Sequence, residues 1–223
     1  MATTLILGAS RGIGLELTRQ YLTAGDRVIA SARSDEALAQ LQGLGAQTLR
    51  IDVADPASVS ALAWQLESEK IDTAWYVAGL MCSRADATQP PTREAFDRIM
   101  HTNVLGAMQV IPQVAPLVAD AGGRFGFVSS VMGLIGEADA SNAWLYRTSK
   151  AALNMAVTSA AHSYPGALMR VFHPGWVQTD MGGASAPVGV VESVSGLRAA
   201  LAAASADENA SLIHHDGSRA RSW

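Results

Sequence analysis

Two side chains that can exchange a proton, Tyr146 and Lys150, lie four positions apart in the segment YRTSK. Residues four apart share one face of a helix, so this spacing places the phenol beside the ammonium. A phenol titrates near pH ~10, and a neighbouring positive charge favours the phenolate and lowers that pKa. The pair predicts a tyrosine that shuttles protons near neutrality, although this spacing also arises by chance in many helices.

Two serines, Ser129 and Ser130, precede this pair in the segment FVSSVMG, at the predicted end of a strand. The carboxyl ends of parallel strands are where open α/β sheets bind their ligands. A hydroxyl there can donate a hydrogen bond to a substrate carbonyl. The alternative is a serine that only completes a turn.

The segment GASRGIG, with Gly8, Gly12 and Gly14, joins a predicted strand to a predicted helix. Glycine lets the backbone turn tightly and come close to a pyrophosphate, and the helix N-terminus offers unpaired N–H groups. The spacing GxxxGxG differs from the GxGxxG dinucleotide fingerprint. We interpret the segment as a dinucleotide-binding loop; a glycine-rich turn without a ligand is the alternative.

The end of the predicted second strand indicates which dinucleotide binds. NAD-binding folds often place an acid there to hold the ribose 2′-hydroxyl, but this strand ends in ASAR, with Arg33. Its guanidinium suits a 2′-phosphate, and Arg11 in the glycine loop can add a second positive charge. The sequence therefore favours NADP(H) over NAD(H). Asp35 and Glu36 argue against this assignment, and two ordinary surface arginines are the alternative.

Short β-rich runs alternate with helical patterns along the whole chain. Strands are predicted over 3–7, 27–32, 47–52, 73–78, 124–129, 168–173 and 211–215. Helices are predicted over 12–22, from the caps Ser34, Asp55 and Thr92, and over 144–162 and 190–204, the Thr92 helix continuing with a bend near Pro112 and Pro116. The alternation predicts an α/β fold: a single-domain, Rossmann-type, doubly wound parallel sheet of about seven strands, spanning residues 1–223, with helices on both faces.

Composition narrows the class of protein. Apolar residues make up 49% of the chain and the formal net charge is −4, which favours a folded globular protein and argues against nucleic-acid binding. The single cysteine, Cys82, fits a reducing compartment. Neither a signal peptide nor a membrane-spanning run is predicted, so we expect a soluble cytoplasmic protein. Neighbouring strand residues point to opposite faces, so His214 and His215 do not predict a metal site.

The glycine loop, the Ser-Tyr-Lys set and the segment HPGWVQTDM (residues 173–181) occur in the order found in the short-chain dehydrogenase/reductase family, which the chain resembles over nearly its whole length. More narrowly, LILGASRGIG, PGWVQTDMGG and the ending from Asp216 to Trp223 are similar to the C-factor and sniffer subgroup of carbonyl-reductase-like members. The resemblance implies an NADP(H)-dependent oxidoreductase that transfers a hydride between the nicotinamide and a carbonyl or alcohol substrate.

The resemblance also implies a role for each catalytic candidate. Tyr146 donates a proton to the carbonyl oxygen during reduction, and Lys150 binds the nicotinamide ribose and tunes Tyr146. Ser130, rather than its neighbour, orients the carbonyl, because the family's serine precedes a glycine by three and Gly133 fits. Asn103 supports a water that links Lys150 to solvent. A homodimer or homotetramer is implied as well.

The cofactor and substrate contacts form larger sets. The predicted cofactor-binding residues are Gly8, Ser10, Arg11, Gly12, Ile13, Gly14, Arg33, Asp52, Val53, Ala78, Gly79, Tyr146, Lys150, Pro174, Gly175, Val177 and Thr179. Three large side chains, Met132, Trp144 and Trp176, are candidates for the walls of the substrate cleft, with ordinary packing as the alternative. The region after Met181 is short, which predicts an open and permissive cleft.

One departure from the family leaves a second function open. The usual Asn-Asn-Ala-Gly is here YVAG, from Tyr76 to Gly79, so the support that the asparagines give is in question. A regulator that binds NADP(H) with weak or no catalysis is therefore the alternative to an enzyme. The intact serine, tyrosine, lysine and asparagine set favours the enzyme, because a binding protein does not need it.

Overall fold

A parallel sheet forms the centre of the chain in the computed structural model, which describes residues 1–81, 84–205, 212–221 and 223. Two positions discussed above, Cys82 and Ser211, lie outside the described residues. The strands are β1 (Thr3–Leu7), β2 (Arg27–Ala32), β3 (Gln47–Arg50), β4 (Thr73–Tyr76), β5 (Arg124–Val128), β6 (Leu168–His173) and β7 (Leu212–His214).

The strand order is β3-β2-β1-β4-β5-β6-β7, and every neighbouring pair is parallel. From β1 the chain runs outward through β2 and β3, then crosses back to β4 on the other side of β1. The loops after β1 and β4 therefore diverge and open a crevice at the carboxyl edge of the sheet. This arrangement confirms the predicted doubly wound Rossmann-type sheet.

Helices follow most of the strands: α1 (Gly12–Thr23), α2 (Asp35–Gly43), α3 (Pro56–Ser60), α4 (Leu62–Gln65), α5 (Arg93–Met100), α6 (Gly106–Asp120), α7 (Trp144–Ala161) and α8 (Val190–Ala203). The three predicted caps are confirmed. The side chains of Ser34, Asp55 and Thr92 each accept a hydrogen bond from a backbone N–H in the first turn of α2, α3 and α5.

A π-helical turn, His101–Leu105, joins α5 to α6. The sequence predicted one helix from Thr92, bent near Pro112 and Pro116; the structure divides this region at the π-turn into α5 and α6, and both prolines lie inside α6. The predicted third and fourth strands are also two residues too long, because β3 ends at Arg50 and β4 at Tyr76. Their final residues belong instead to the loops that line the crevice.

The sheet buries apolar side chains on both faces. Along β1, Leu5 and Leu7 belong to one core cluster and Ile6 to the other, as the two-residue period of a strand requires. Helices α6 and α7 cover the first face, and α1 and α8 cover the second. None of the described helices is long and apolar enough to cross a bilayer.

Close packing between the glycine loop and α1 depends on Gly14. A Cβ atom at this position would lie 2.1 Å from the carbonyl oxygen of Gly8, which is a backbone atom that cannot swing away. Gly43, near the end of α2, has nothing within 4 Å of the same virtual atom. The two helical glycines therefore differ in the space available to a side chain.

We expect Gly14→Ala to lower the free energy of unfolding by about 2 kcal/mol or more, because overpacking against rigid neighbours costs ~1–3 kcal/mol. The matched control, Gly43→Ala, should leave it unchanged or raise it by up to ~1 kcal/mol, since alanine is the better helix former. Urea unfolding followed by circular dichroism measures both. Equal midpoints for the two variants would contradict the packing argument.

Candidate active site

A cavity of about 420 Å³ opens at the carboxyl edge of the sheet, where the loops after β1 and β4 diverge. It is lined by residues that follow six of the strands and by two side chains of α7. Of the predicted site residues, the lining includes Gly8, Ser10, Arg11, Gly12, Ile13, Arg33, Asp52, Val53, Ala78, Gly79, Tyr146, Lys150, Pro174 and Thr179. Segments distant in sequence are thus brought together around one space.

The glycine loop forms the narrow floor of this cavity. Gly8 and Gly12 have φ of 94° and 51°, in the left-handed region that glycine adopts freely. A Cβ at Gly8 would lie 2.7 Å from the backbone nitrogen of Ala78. Helix α1 begins at Gly12 without a side-chain cap, so its first N–H groups face the loop. Such a bare helix start beside close-packed backbone suits a pyrophosphate.

Charged side chains surround the end of the cavity beside β2 and β3. A guanidinium nitrogen of Arg33 lies 3.6 Å from a carboxylate oxygen of Asp52. Arg11, expected to add charge at the same end, is instead hydrogen-bonded to Asp180 at 3.0 Å. Both members of each pair line the cavity, as does Arg98 of α5. With Lys150, the lining carries four basic groups and two acidic ones, which suits an anionic ligand.

Tyr146 and Lys150 lie one turn apart on α7, and both are buried. The Lys150 ammonium donates to the carbonyl of Val128 at 2.9 Å and lies 5.7 Å from the centre of the Tyr146 ring. Burial lowers the pKa of Lys150 to about 8, because the charged form is poorly solvated there. The spacing therefore predicted the shared helix face correctly.

The sequence predicted a lowered pKa for Tyr146, and this prediction is wrong. Burial raises it to about 12, and a hydrogen bond with Ser130 opposes that rise only in part. Four-residue spacing gave the proximity of Lys150, but it carried no information on how deeply the phenol is buried. The phenol is therefore protonated across the neutral range, as a proton donor must be.

The two serines after β5 have different partners. Ser130 is hydrogen-bonded to Tyr146 and accepts a hydrogen bond from the backbone nitrogen of Met132 at 3.1 Å. Ser129 donates to the side-chain oxygen of Asn154 at 2.5 Å. At Gly133, a Cβ would lie 2.7 Å from the backbone carbon of Lys150, so glycine lets this turn press against α7. Ser130, and not Ser129, is placed beside the phenol.

Asn103 lies in the π-helical turn and is fully buried. Its side-chain oxygen accepts from the Leu80 nitrogen at 2.8 Å, and its nitrogen donates to the Leu80 carbonyl and to the Ser149 hydroxyl, each at 2.9 Å. Ser149 donates in turn to the Tyr146 carbonyl at 2.8 Å. The asparagine thus connects the loop after β4 to the helix that carries Tyr146.

Tyr76, which stands where the resembled family has an asparagine, makes a contact that the sequence did not predict. Its hydroxyl donates to the carbonyl of Thr102 at 2.7 Å. In an α-helix that carbonyl accepts from the residue four positions on, but here the Gly106 nitrogen donates to His101 instead. Tyr76 therefore provides a partner for the Thr102 carbonyl at the π-turn and ties the end of β4 to that turn.

Some predicted site residues do not line the cavity. These are Gly14, Met132, Gly175, Val177, Trp144, Trp176, Ser130 and Asn103. Among the substrate candidates, Met132 packs beside Tyr146 in a small apolar cluster. Trp176 is 53% exposed and its indole nitrogen donates to the Gly182 carbonyl at 2.8 Å, so its ring braces the loop after β6.

The lining also includes residues outside the predicted set of site residues: Ser31, Ala32, Ile51, Ala54, Val77, Leu80, Arg98, His101, Thr102, Val128, Ser129, Asp180 and Met181. Most of them adjoin predicted residues in the chain, so a wider window around each motif would have found them. Arg98 is different, because it lies one turn before Thr102 on a helix with no motif of its own. Only its place in the fold brings it to the cavity.

The family sequence profile described as short chain dehydrogenase matches residues 2–187. Among curated proteins, 1-hydroxy-2-glutathionyl-2-methyl-3-butene dehydrogenase of Rhodococcus sp. (strain AD45) is 34% identical over 185 residues, covering 81% of this chain and 80% of that protein. The C-signal protein of Myxococcus xanthus is 38% identical over 124 residues, covering 54% of this chain and 72% of its own.

Solved structures share the whole fold. Carbonyl reductase Sniffer of D. melanogaster superposes with a TM-score of 0.91 at 26% identity, covering 100% of both chains. A short-chain dehydrogenase/reductase from Burkholderia multivorans, crystallised with bound NADP, gives a TM-score of 0.85 at 29% identity, covering 100% of this chain and 99% of the other. These similarities confirm the predicted family and its C-factor and sniffer relatives.

The burial of Lys150 predicts a specific dependence of stability on pH. Its pKa is about 8 in the folded chain and near its ordinary value of 10.5 in the unfolded chain. Below pH ~8 both forms are charged and burial opposes folding; as pH rises toward ~10.5 the folded chain releases its proton first and this penalty fades. At one pKa unit per ~1.4 kcal/mol, the penalty is at most about 3 kcal/mol.

We therefore expect Lys150→Met to raise the free energy of unfolding at pH 7, with the gain over the unsubstituted chain shrinking between pH 8 and pH 10. Urea unfolding of both proteins at several pH values measures the difference and cancels the other titrating groups. A gain that stays constant with pH would mean that the ammonium is not desolvated.

Proposed function

The chain belongs to the short-chain dehydrogenase family of oxidoreductases, and on that premise we propose that it catalyses reversible hydride transfer between NADP(H) and a carbonyl or alcohol substrate. One observation carries this proposal. A buried phenol, Tyr146, is hydrogen-bonded to Ser130 and lies beside the Lys150 ammonium, in a cavity that also contains the glycine loop and the exposed Arg33 guanidinium. These groups supply a proton donor and a surface that suits a dinucleotide.

The residues present fit a dinucleotide. Gly8 and Gly12 have positive φ and let the loop pack closely against Ala78 and Thr179, and the uncapped start of α1 offers N–H groups to a pyrophosphate. The bound nicotinamide would supply or accept the hydride. Around it, Lys150 would hold the ribose hydroxyls, and Pro174 and Thr179 line the cavity and would lie beside the bound group.

A preference for NADP(H) follows from the charges at the β2 end. Arg33 lines the cavity with its side chain 72% exposed, so the guanidinium is accessible to a 2′-phosphate. Asp35, one of the two acids whose presence favours NAD(H), is ion-paired with Arg50. Glu36 is absent from the described lining. The relative from Burkholderia multivorans crystallised with NADP supports the same choice.

In carbonyl reduction, the protonated Tyr146 gives its proton to the substrate oxygen as the hydride reaches the carbon. The Ser130 hydroxyl donates a hydrogen bond to that oxygen and holds it in line with the phenol. The nearby Lys150 ammonium favours the phenolate that forms, which makes the transfer easier. Asn103 reaches the backbone carbonyl of Tyr146 through Ser149, and we propose that it supports a water that links Lys150 to solvent.

The substrate class is a ketone, aldehyde or alcohol with an apolar group next to the reacting carbon. Leu80 and Met181 line the cavity, and Met132 packs against Tyr146, so the reacting end is apolar. Two relatives are consistent with this chemistry, since one is named a carbonyl reductase and the other a dehydrogenase of a hydroxylated, glutathione-bearing compound. The short loop after Met181 leaves the entrance open.

We expect the protein to oxidise NADPH faster than NADH across a panel of small aldehydes, ketones and quinones. Tyr146→Phe should lower kcat by roughly a hundredfold to ten-thousandfold, because it removes the transferred proton. Nucleotide binding, followed by NADPH fluorescence, should change little. Near-normal turnover in the variant would overturn the mechanism, and NADPH binding without turnover of any substrate would favour the regulator.

The neighbouring serines offer a matched pair of variants. Ser130→Ala should lower kcat by ~10²–10³-fold with a small effect on stability, since the lost donor acts on the developing charge. Ser129→Ala should keep activity within about threefold but lower the free energy of unfolding by ~1–3 kcal/mol, because Asn154 loses its buried partner. Steady-state kinetics and urea unfolding separate the two effects. The reverse pattern would show that the other hydroxyl serves the substrate.

A further inference from the structure

Arg50, the last residue of β3, joins two segments at the end of the cavity that carries Arg33. It lies opposite Ala32 in the parallel pairing of β2 with β3. One guanidinium nitrogen donates to the backbone carbonyl of Arg33 at 2.7 Å, and another is ion-paired with Asp35. The same planar group therefore holds the backbone of the cavity arginine and the carboxylate two residues beyond it.

Asp35 is the group that would otherwise oppose a 2′-phosphate. It lies in the first turn of α2, directly after the loop that carries Arg33, and its side chain is 86% exposed. An unpaired carboxylate there repels a phosphate, and it can accept hydrogen bonds from a ribose diol instead. The second nearby carboxylate, Asp52, lies 3.6 Å from Arg33. Asp35 and Asp52 are thus each matched with an arginine.

Such exposed pairs contribute little to the stability of the fold, because water screens both charges. Their effect is on the local charge that a ligand meets. A double contact, with one donor on a carbonyl and another on a carboxylate, uses the fork of donors that only arginine has. A lysine at position 50 keeps the charge but lacks the rigid planar fork that holds both groups in this geometry.

We propose that Arg50 determines cofactor specificity. It neutralises Asp35 and fixes the Arg33 backbone, so that a 2′-phosphate meets an arginine rather than a carboxylate. This inference rests on the proposed use of NADP(H), and it assigns the preference to a β3 residue outside the cavity lining. Without Arg50 the exposed Asp35 carboxylate disfavours NADPH and leaves NADH, which has no 2′-phosphate, nearly unaffected.

A double-mutant cycle tests this assignment through binding constants. The Kd values for NADPH and NADH, measured by nucleotide fluorescence, are compared in the full chain and in Arg50→Gln, Asp35→Asn and the double variant. We expect Arg50→Gln to weaken NADPH about tenfold, which corresponds to ~1.4 kcal/mol, and to change NADH less than about threefold. Adding Asp35→Asn should restore NADPH binding to within about threefold of the Asp35→Asn single variant.

Three further variants test whether the effect is specific to Arg50 and Asp35. Arg93→Gln removes an arginine that is 94% exposed and paired with Asp97 on α5, away from β3, so it should leave both constants unchanged. Glu36→Gln combined with Arg50→Gln removes the acid next to Asp35 and should not restore NADPH binding. Arg50→Lys keeps the charge and should fall between the unsubstituted chain and Arg50→Gln; it also carries the test if Arg50→Gln does not fold.

The failures of the two proposals are distinguishable. If the unsubstituted chain binds neither nucleotide, or prefers NADH, the proposed use of NADP(H) is wrong. If it prefers NADPH and Arg50→Gln behaves like Arg93→Gln, the role of Arg50 is wrong. Loss of NADPH binding that Asp35→Asn does not restore, or that Glu36→Gln restores equally, overturns the neutralisation of Asp35.

Discussion

The hydrogen bond from the Lys150 ammonium to the Val128 carbonyl is the contact around which the site is arranged. A buried cation without a partner is costly, so this 2.9 Å contact fixes α7 against the end of β5. The turn after β5 lies against the backbone of Lys150 because Gly133 has no side chain. Tyr146, one turn earlier on α7, is then held beside Ser130, and proton chemistry follows from how the helix is seated.

The side chains at the two ends of the cavity differ in how deeply they are buried. Around Tyr146 and Lys150 the side chains are buried, so desolvation moves both pKa values by a large amount. Around Arg33 and Asp52 the side chains are exposed, and charge is organised by pairing rather than by desolvation. A dinucleotide with a charged phosphate end and a reactive nicotinamide end matches this division.

Local patterns were sufficient for most of the fold. The bounds of β1, β2 and β6 agree with prediction because each is a short apolar run between clear turn or helix signals. The contacts that sequence reasoning missed, from Tyr76 to Thr102 and from Arg50 to Asp35, join segments whose meeting depends on the register of the sheet. The predicted lowering of the Tyr146 pKa was wrong for a similar reason. The burial of the phenol depends on the packing of the whole domain and not on a neighbour four residues away.

The π-turn at His101–Leu105 also sets the rotational phase of the helices on either side of it. An α-helix rotates by about 100° per residue, so one extra residue in a turn offsets α6 from α5 by roughly that angle. Deleting a single residue there would let a regular helix form, yet it would turn Val110 and Val114 of α6 away from the sheet or swing Asn103 away from Leu80. The packing of α6 on the sheet and the hydrogen bonds of Asn103 therefore both require the extra residue of the π-turn. A segment one residue shorter cannot keep both sets of contacts.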